Sequence, residues 1–467
     1  MTAYTRSIRA AGLLLAALGT AACNDFLTGP ALDENPNQPV QANATQLFVA
    51  AQAQGFTRQE GQLARTAGMF TQQLSGTFNQ QKDWGSLYLG SESDYSQHFS
   101  PFYTGGGLVD WRKIQEAAKA SNDAQFEGIA KVWEAFTMGT AADIWGDIPY
   151  REAVAGIPHP HLDAQQQVYA DLQALLSEAI TKLGGTGPGP AGADLVYSGN
   201  TARWIRAAHT LKARYHLHTA ERLGAPAYQA ALAEALLGIN EAPADATAAM
   251  LGQGAGDFRA FHGTVLEQSN IWSQFLNARQ DINAGNVFIQ TLIARSDPRL
   301  SVYFAPVSGV TPTTYRGANQ FGQPVGGSPS SEVGAARRSA GYRQPLVTWA
   351  ENQLIIAEAK FKLNDATAIN HLNAVRTSVG LAALPGPITL EDIMTEKWIV
   401  MFQNIEAWSD YKRTCIPVLA PGGSPQAAAV PGRLPYGLLE RQNNPNIPLP
   451  AQQPVRNWND PTACTGS

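Results

Sequence analysis

The chain has 467 residues, with 33 Lys and Arg against 38 Asp and Glu, a formal net charge of -5, and 3 Cys. No window concentrates Lys and Arg, so the basic face of a phosphate-tracking surface is missing, which argues against nucleic acid as a partner. Charged residues make up only 15%, below the roughly 25% usual for soluble domains; a surface built from Gln, Asn, Ser, Thr and Gly suits a protein working outside the cytoplasm.

Residues 1–22 have the three parts of an export signal: Arg6 and Arg9, an apolar run from Ala10 to Leu18, and Thr20-Ala21-Ala22-Cys23. That ending resembles a bacterial lipobox, which makes Cys23 the expected lipidation site, although Thr20 departs from the usual Leu. No later stretch reaches the ~18 apolar residues of a membrane span, so a body held by lipid is expected. Once Cys23 is lipidated, only Cys415 and Cys464 remain. In an oxidising compartment they can pair and tie the tail to the body, or stay as two thiols.

A Pro/Asn-rich tether covers 23–40. From 41 to 242 helical spacing dominates. Phe48, Ala51, Leu63, Ala67 and Phe70 suggest two antiparallel helices broken near Gly55. Between Asn79 and Gly107 the pattern dissolves into Gly, Ser and aromatics. Helices are then expected over Leu108–Asn122, Gln125–Asp143, Asp163–Leu183, Thr201–Leu223 and Pro226–Leu237, with Asn200 as a cap. Long helices joined by turns, without alternating strand patterns, point to stacked helical hairpins. Residues 243–345 form a loop-rich insert with one helix, Asn286 to Arg295. Residues 346–416 return to helices, Val347–Leu363, Ala366–Val379 and Thr389–Trp408, which must share a core with the first set. Residues 417–467 read as an irregular tail.

The catalytic and metal-binding patterns are weak. His159-Pro160-His161 reads as a surface turn without a third ligand, and His209, His216 and His218 as core or groove histidines. Glu351 and Glu358 resemble paired catalytic carboxylates, but structural carboxylates paired with Arg are the better reading. The runs Gly105-Gly106-Gly107 and Gly326-Gly327 lack the Lys-Ser/Thr of a phosphate loop. No catalytic residue, metal or cofactor is assigned.

Taken in order, several segments resemble the SusD/RagB family of nutrient-uptake lipoproteins: Cys23 to Leu27, Ala141 to Tyr150 (AADIWGDIPY), Arg203 to Tyr215, Asp297-Pro298-Arg299-Leu300, Tyr315-Arg316-Gly317, Glu351 with Ala357-Glu358-Ala359, and Glu406 to Thr414. The resemblance implies a mainly α fold of tetratricopeptide-like helical hairpins with an inserted irregular, loop-rich ligand-binding lobe. It implies an outer-membrane, lipid-anchored protein facing the exterior that is not an enzyme. Such a protein captures an oligosaccharide or peptide and delivers it to a SusC-like TonB-dependent β-barrel transporter. A lipid-anchored glycoside hydrolase or peptidase, and a helical-repeat scaffold, are the alternatives.

Such a receptor needs flat aromatic surface ringed by amide and guanidinium donors. Loop aromatics are therefore the candidates: Trp84 first, beside Gly85 in a polar loop, with Tyr88 and Tyr95, then Trp272, Tyr315, Arg316, Asn319 and Phe321 in the insert.

Overall fold

The computed structural model describes residues 43–423 and 428–466. The expected signal peptide, Cys23 and tether lie outside the described residues. The chain divides into two units, Met1–Gln46 and Leu47–Ser467, and the core and site described below belong to the second.

Helices of eight residues or more are numbered α1–α14: α1 Ala44–Glu60, α2 Gln62–Phe70, α3 Glu92–Phe99, α4 Leu108–Ala120, α5 Ala124–Trp145, α6 Gln165–Leu183, α7 Thr201–His218, α8 Ala225–Ala235, α9 Ile271–Ala278, α10 Asn286–Ala294, α11 Trp349–Lys362, α12 Ala368–Ser378, α13 Leu390–Val400 and α14 Glu406–Thr414. The strands are short. Leu74–Gly76 (β1) pairs antiparallel with Ile282–Ala284 (β3), and Phe258–Arg259 (β2) with Pro345–Val347 (β4).

The stack runs α4–α5–α6–α7–α8–α11–α12, each helix against the next, as the hairpin reading expects. Central to it is α5. Asp123 caps it by accepting from Phe126 N at 3.0 Å, and nearly every residue from Phe126 to Trp145 is buried. It ends at Gly146, whose φ of +78° and approach to Asn457, where a Cβ would meet Oδ1 at 2.7 Å, both require glycine. Trp133 on α5 stacks on Trp111 of α4 at 5.1 Å, and Phe258 of β2 meets Trp133 and Trp204 edge-on at 4.9 and 5.3 Å. The insert thus plugs an aromatic ring into the helical stack.

Several expected boundaries change. Gly55 does not break the first helix: a Cβ there would lie 2.8 Å from the Trp133 ring, so glycine makes room for packing. The break falls at Gly61, and a single linking residue is shorter than the turn of an antiparallel hairpin. The expected helix Thr389–Trp408 is two, α13 and α14, separated where Gln403 takes φ +66° and Asn404 Oδ1 accepts from Glu406 N at 3.0 Å. The aromatic region before Gly107 contains α3, begun by a Ser91/Asp94 capping box. The insert holds α9 as well as α10, with Asn270 capping α9.

Charged side chains tie the two helical sets together. Arg214 on α7 forks onto Glu351 on α11, Nε to Oε1 at 2.6 Å and Nη2 to Oε2 at 2.7 Å. Arg413 on α14 does the same to Glu358 on α11 and also reaches Asp410, which accepts from Lys397 at 2.8 Å. The buried His218 lies between two carboxylates: Nε2 is 2.8 Å from Glu406 Oε1, and Nδ1 is 2.7 Å from Asp143 Oδ1. The Nδ1 approach is an ion contact rather than a well-directed hydrogen bond. Burial alone would lower the His218 pKa, but Asp143 and Glu406 more than offset it and hold it up at about 10. Cys415 and Cys464 form a disulfide, Cα to Cα 5.1 Å, fastening the tail beside α14.

Two predictions follow from this ionic seam. Arg214→Leu leaves Glu351 buried without its fork and should cost about 3–5 kcal/mol in urea unfolding. Because His218 titrates near 10 when folded, against an ordinary 6.5, its contribution is complete below pH 6.5 and lost as pH rises through 10. The melting temperature should fall over that interval, and His218→Gln should flatten the fall; an equally steep fall in the variant contradicts the assignment.

Candidate functional site

The site is built where β1 ends. Trp398 Nε1 donates to Thr71 O at 3.0 Å, and Gln73 Nε2 to Trp398 O at 2.6 Å, so α13 fixes the approach to β1. Beyond it, Thr77 and Phe78 lead into a helical turn, Asn79–Gln81, and a π-helical turn, Lys82–Ser86. Ser86 folds this loop back: its Oγ accepts from Gly76 N at 3.1 Å and lies 3.0 Å from Gly76 O.

Two remote segments close onto the loop. Asn319 O accepts from Ser75 Oγ at 2.7 Å, and Asn319 Oδ1 accepts from Phe321 N and Gln323 N, both at 3.0 Å. Gly322, at φ +76°, lies so near β1 that a Cβ would come 2.2 Å from Gly76 O. From the tail, Gly423 N donates to Ser86 O at 2.7 Å and Gly422 N to the Tyr88 hydroxyl at 2.8 Å. Residues separated by more than 300 positions thereby share one surface.

Between Thr77–Phe78, Gln280, Asn283 and the segment Gly322–Glu332 lies a cleft of about 160 Å³. Its walls carry amides, hydroxyls and Glu332, whose carboxylate is ion-paired with Arg338 at 2.6 Å. Thr77 Oγ1 donates to Asn283 Oδ1 at 2.9 Å, and the buried Ser330 hydroxyl has no protein partner. Phe78 on the rim is 64% exposed, and Phe321, next to Gly322, is 37% exposed. Exposed rings beside amides and hydroxyls suit a ligand with both C–H faces and hydroxyls.

The expected site residues separate into two groups. Trp84 and Tyr88 sit half-buried on the folded-back loop, and Tyr315, Arg316, Asn319 and Phe321 lie on the insert loop joined to it. Tyr88 carries structural work as well, with its ring edge-on to Phe70 at 5.3 Å and its hydroxyl, pushed up to about 12 by burial, taken by Gly422. Tyr95 and Trp272 belong elsewhere. Both are on helices, α3 and α9, and both are buried, 2% and 0% exposed, so neither offers a face to a ligand. Phe78, Gln280 and Ser330 were not anticipated. Phe78 did leave a signal, as a lone large apolar residue before the polar run Asn79-Gln80-Gln81-Lys82.

The remaining titratable clusters are structural. Glu351 and Glu358 are each locked to an arginine. Asp143, His218 and Glu406 bring three ligand-type atoms within 4.8 Å, but the two carboxylates address different nitrogens of the imidazole, and Arg214 lies 3.6 Å from Glu406. That geometry is an ion-paired imidazolium rather than a cation cradle. His161 pairs with Glu152 at the surface.

The solved structures similar to this chain include a chitin-binding protein (22% identity, TM-score 0.73, covering 90% of this chain and 100% of that one) and a chitin-binding SusD homolog from Flavobacterium johnsoniae (19%, 0.75, 90% and 99%). A SusD/RagB family protein from Bacteroides thetaiotaomicron is also similar (19%, 0.71, 91% and 99%). At these identities the likeness establishes the shared fold. No curated protein matches the chain. The model of the SusD-like family described as "Starch-binding associating with outer membrane" matches residues 36–437. With most of the chain matched and the helical stack in place, the chain belongs to this SusD-like family.

Proposed function

We propose that the protein is a lipid-anchored, outward-facing outer-membrane receptor that captures an oligosaccharide in the Phe78–Phe321 cleft. It then passes the sugar to a SusC-like TonB-dependent β-barrel. The observation that carries this reading is the cleft itself, with exposed Phe78 in its lining and exposed Phe321 next to its Gly322, on a chain whose family is described as starch-binding. Sugar rings present C–H faces to aromatic rings and hydroxyls to amides, and this rim and wall supply both. Trp84 and Tyr315 extend the aromatic surface along the same joined loops.

Two features support binding rather than turnover and a peripheral rather than a spanning protein. The carboxylates most suggestive of catalysis, Glu351 and Glu358, are buried and neutralised. Among the described residues no helix is long and apolar enough to cross a membrane, so attachment through Cys23 is the proposed route. A lipid tether keeps the receptor beside its transporter at high effective concentration.

Phe78→Ala and Phe321→Ala should each weaken oligosaccharide binding by about 3- to 10-fold in titration calorimetry against maltohexaose and chitohexaose. Because both rings are exposed, the melting temperature should hold; unchanged affinity in both variants contradicts the cleft. Detergent-solubilised protein from its native membrane should bring down a stoichiometric large β-barrel. Recovery alone or with soluble enzymes contradicts the transporter partnership.

A further inference from the structure

Beside the cleft's entry loop lies a half-buried arginine that, among the described residues, pairs with neither a carboxylate nor a backbone carbonyl. Arg58, Arg337, Arg343 and Arg433 each satisfy their guanidinium with backbone carbonyls, and Arg214, Arg299 and Arg413 with carboxylates. Arg65, on α2, does neither. Its Nε and Nη2 reach only Gln62 Oε1, at 3.4 and 3.3 Å, and that oxygen already accepts from Gln81 Nε2 at 2.8 Å. Its Nη1 has no protein hydrogen bond and is not a buried orphan, so it opens to solvent.

The guanidinium is held ready by packing. Its Cζ lies over the Phe275 ring of α9, 4.1 Å from the centroid, a cation–π contact that holds the guanidinium in place. No carboxylate among the described residues lies within ion-pairing distance. Its electrostatic neighbours are Arg279, half-exposed and 3.7 Å from Asp281, and His98, which burial and then Arg65 push down to about 4 and so keep neutral. Burial, then Arg279, lowers the Arg65 pKa to about 10. A partly desolvated, preorganised cation with a free donor edge gains most from an incoming anion. The patch is linked through Gln62 to the loop that follows Phe78. Gln81, which bonds Gln62, is in the turn between Phe78 and Trp84, and Trp84 packs on Tyr95 at 6.0 Å, with His98 6.5 Å beyond.

We propose that Arg65, backed by Arg279, is an anion-recognition residue and that the oligosaccharide captured at this site is acidic, carrying a carboxylate or a sulfate. The inference rests on the glycan-binding reading and narrows its substrate class.

The test titrates the full chain and Arg65→Gln with three hexasaccharides: maltohexaose (neutral), hexagalacturonate (carboxylate) and a chondroitin sulfate hexamer (carboxylate and sulfate). The wild type should prefer an acidic sugar over the neutral one by about 10- to 100-fold, and the preference should shrink with added salt. In Arg65→Gln the ratio of acidic to neutral affinity should fall about tenfold or more, while Arg65→Lys keeps part of it and both variants keep the wild-type melting temperature. Preference for hexagalacturonate identifies the carboxylate, and preference for the chondroitin hexamer alone the sulfate. Equal affinity for neutral and acidic sugars, or an acidic preference that survives Arg65→Gln, overturns the inference and leaves glycan binding standing. Failure of all three sugars to bind contradicts the glycan-binding reading itself, and this inference with it.

Discussion

The structure depends on a seam of buried ion pairs joining helices that the sequence holds far apart. Arg214 and Glu351 are 137 residues apart, Arg413 and Glu358 55, and His218 and Glu406 188. In a low-dielectric interior a charge without its partner costs several kcal/mol. Any other docking of α11 and α14 against α5 and α7 is therefore penalised at several points at once. The aromatic core adds stability without direction, whereas forked Arg–carboxylate contacts specify register. The loop-rich insert, which has little regular structure of its own, can then be anchored between two helical sets whose relation is fixed.

That anchoring carries through to the binding surface by short steps. Phe288 of α10 meets Trp398 of α13 at 4.7 Å, and Arg337 lies 5.2 Å over Phe402, just past α13, setting the insert on the C-terminal helices. Trp398 in turn bonds the backbone entering β1. From β1, the Gly76–Gly322 contact and the Ser86 hydroxyl bring the two site loops together, and the tail, fastened by Cys415–Cys464, closes them from outside. The site is thus loop-built yet held by hydrogen-bonded backbone, which preorganises exposed rings that would otherwise collapse onto the surface.

Much of the helical body was legible from sequence because amphipathic spacing is local. α6 shows this, with Val168, Leu172, Ala179 and Leu183 buried on one face. The family segments were legible as words but not as physics. Asp143, Arg214, Glu351 with Glu358, and Glu406 stand in four separate stretches, and only the fold brings them together. Errors arose where a residue's role depends on a distant partner. Gly55 looks like a breaker until Trp133 is placed against it. Tyr95 and Trp272 looked like loop aromatics because their helices are only eight residues long, too short for periodicity to register. The Ser91/Asp94 box and the Asn270 cap were the signals that marked those helices. On the loops around the cleft, Trp84, Tyr315 and Phe321 could be nominated by type, whereas Ser330 and Gln280 in its lining have no sequence mark at all.

The proposed sugar site lies where residues 76–86, 280–284 and 316–330 meet. Hydrogen exchange of the intact protein with and without a saturating oligosaccharide tests it most directly. Binding at the cleft predicts slowed exchange in amides of residues 76–86, 280–284 and 316–330, with the helical stack unchanged. Protection confined to another surface, such as the groove between Phe361, Ile369 and Ile388, would contradict it.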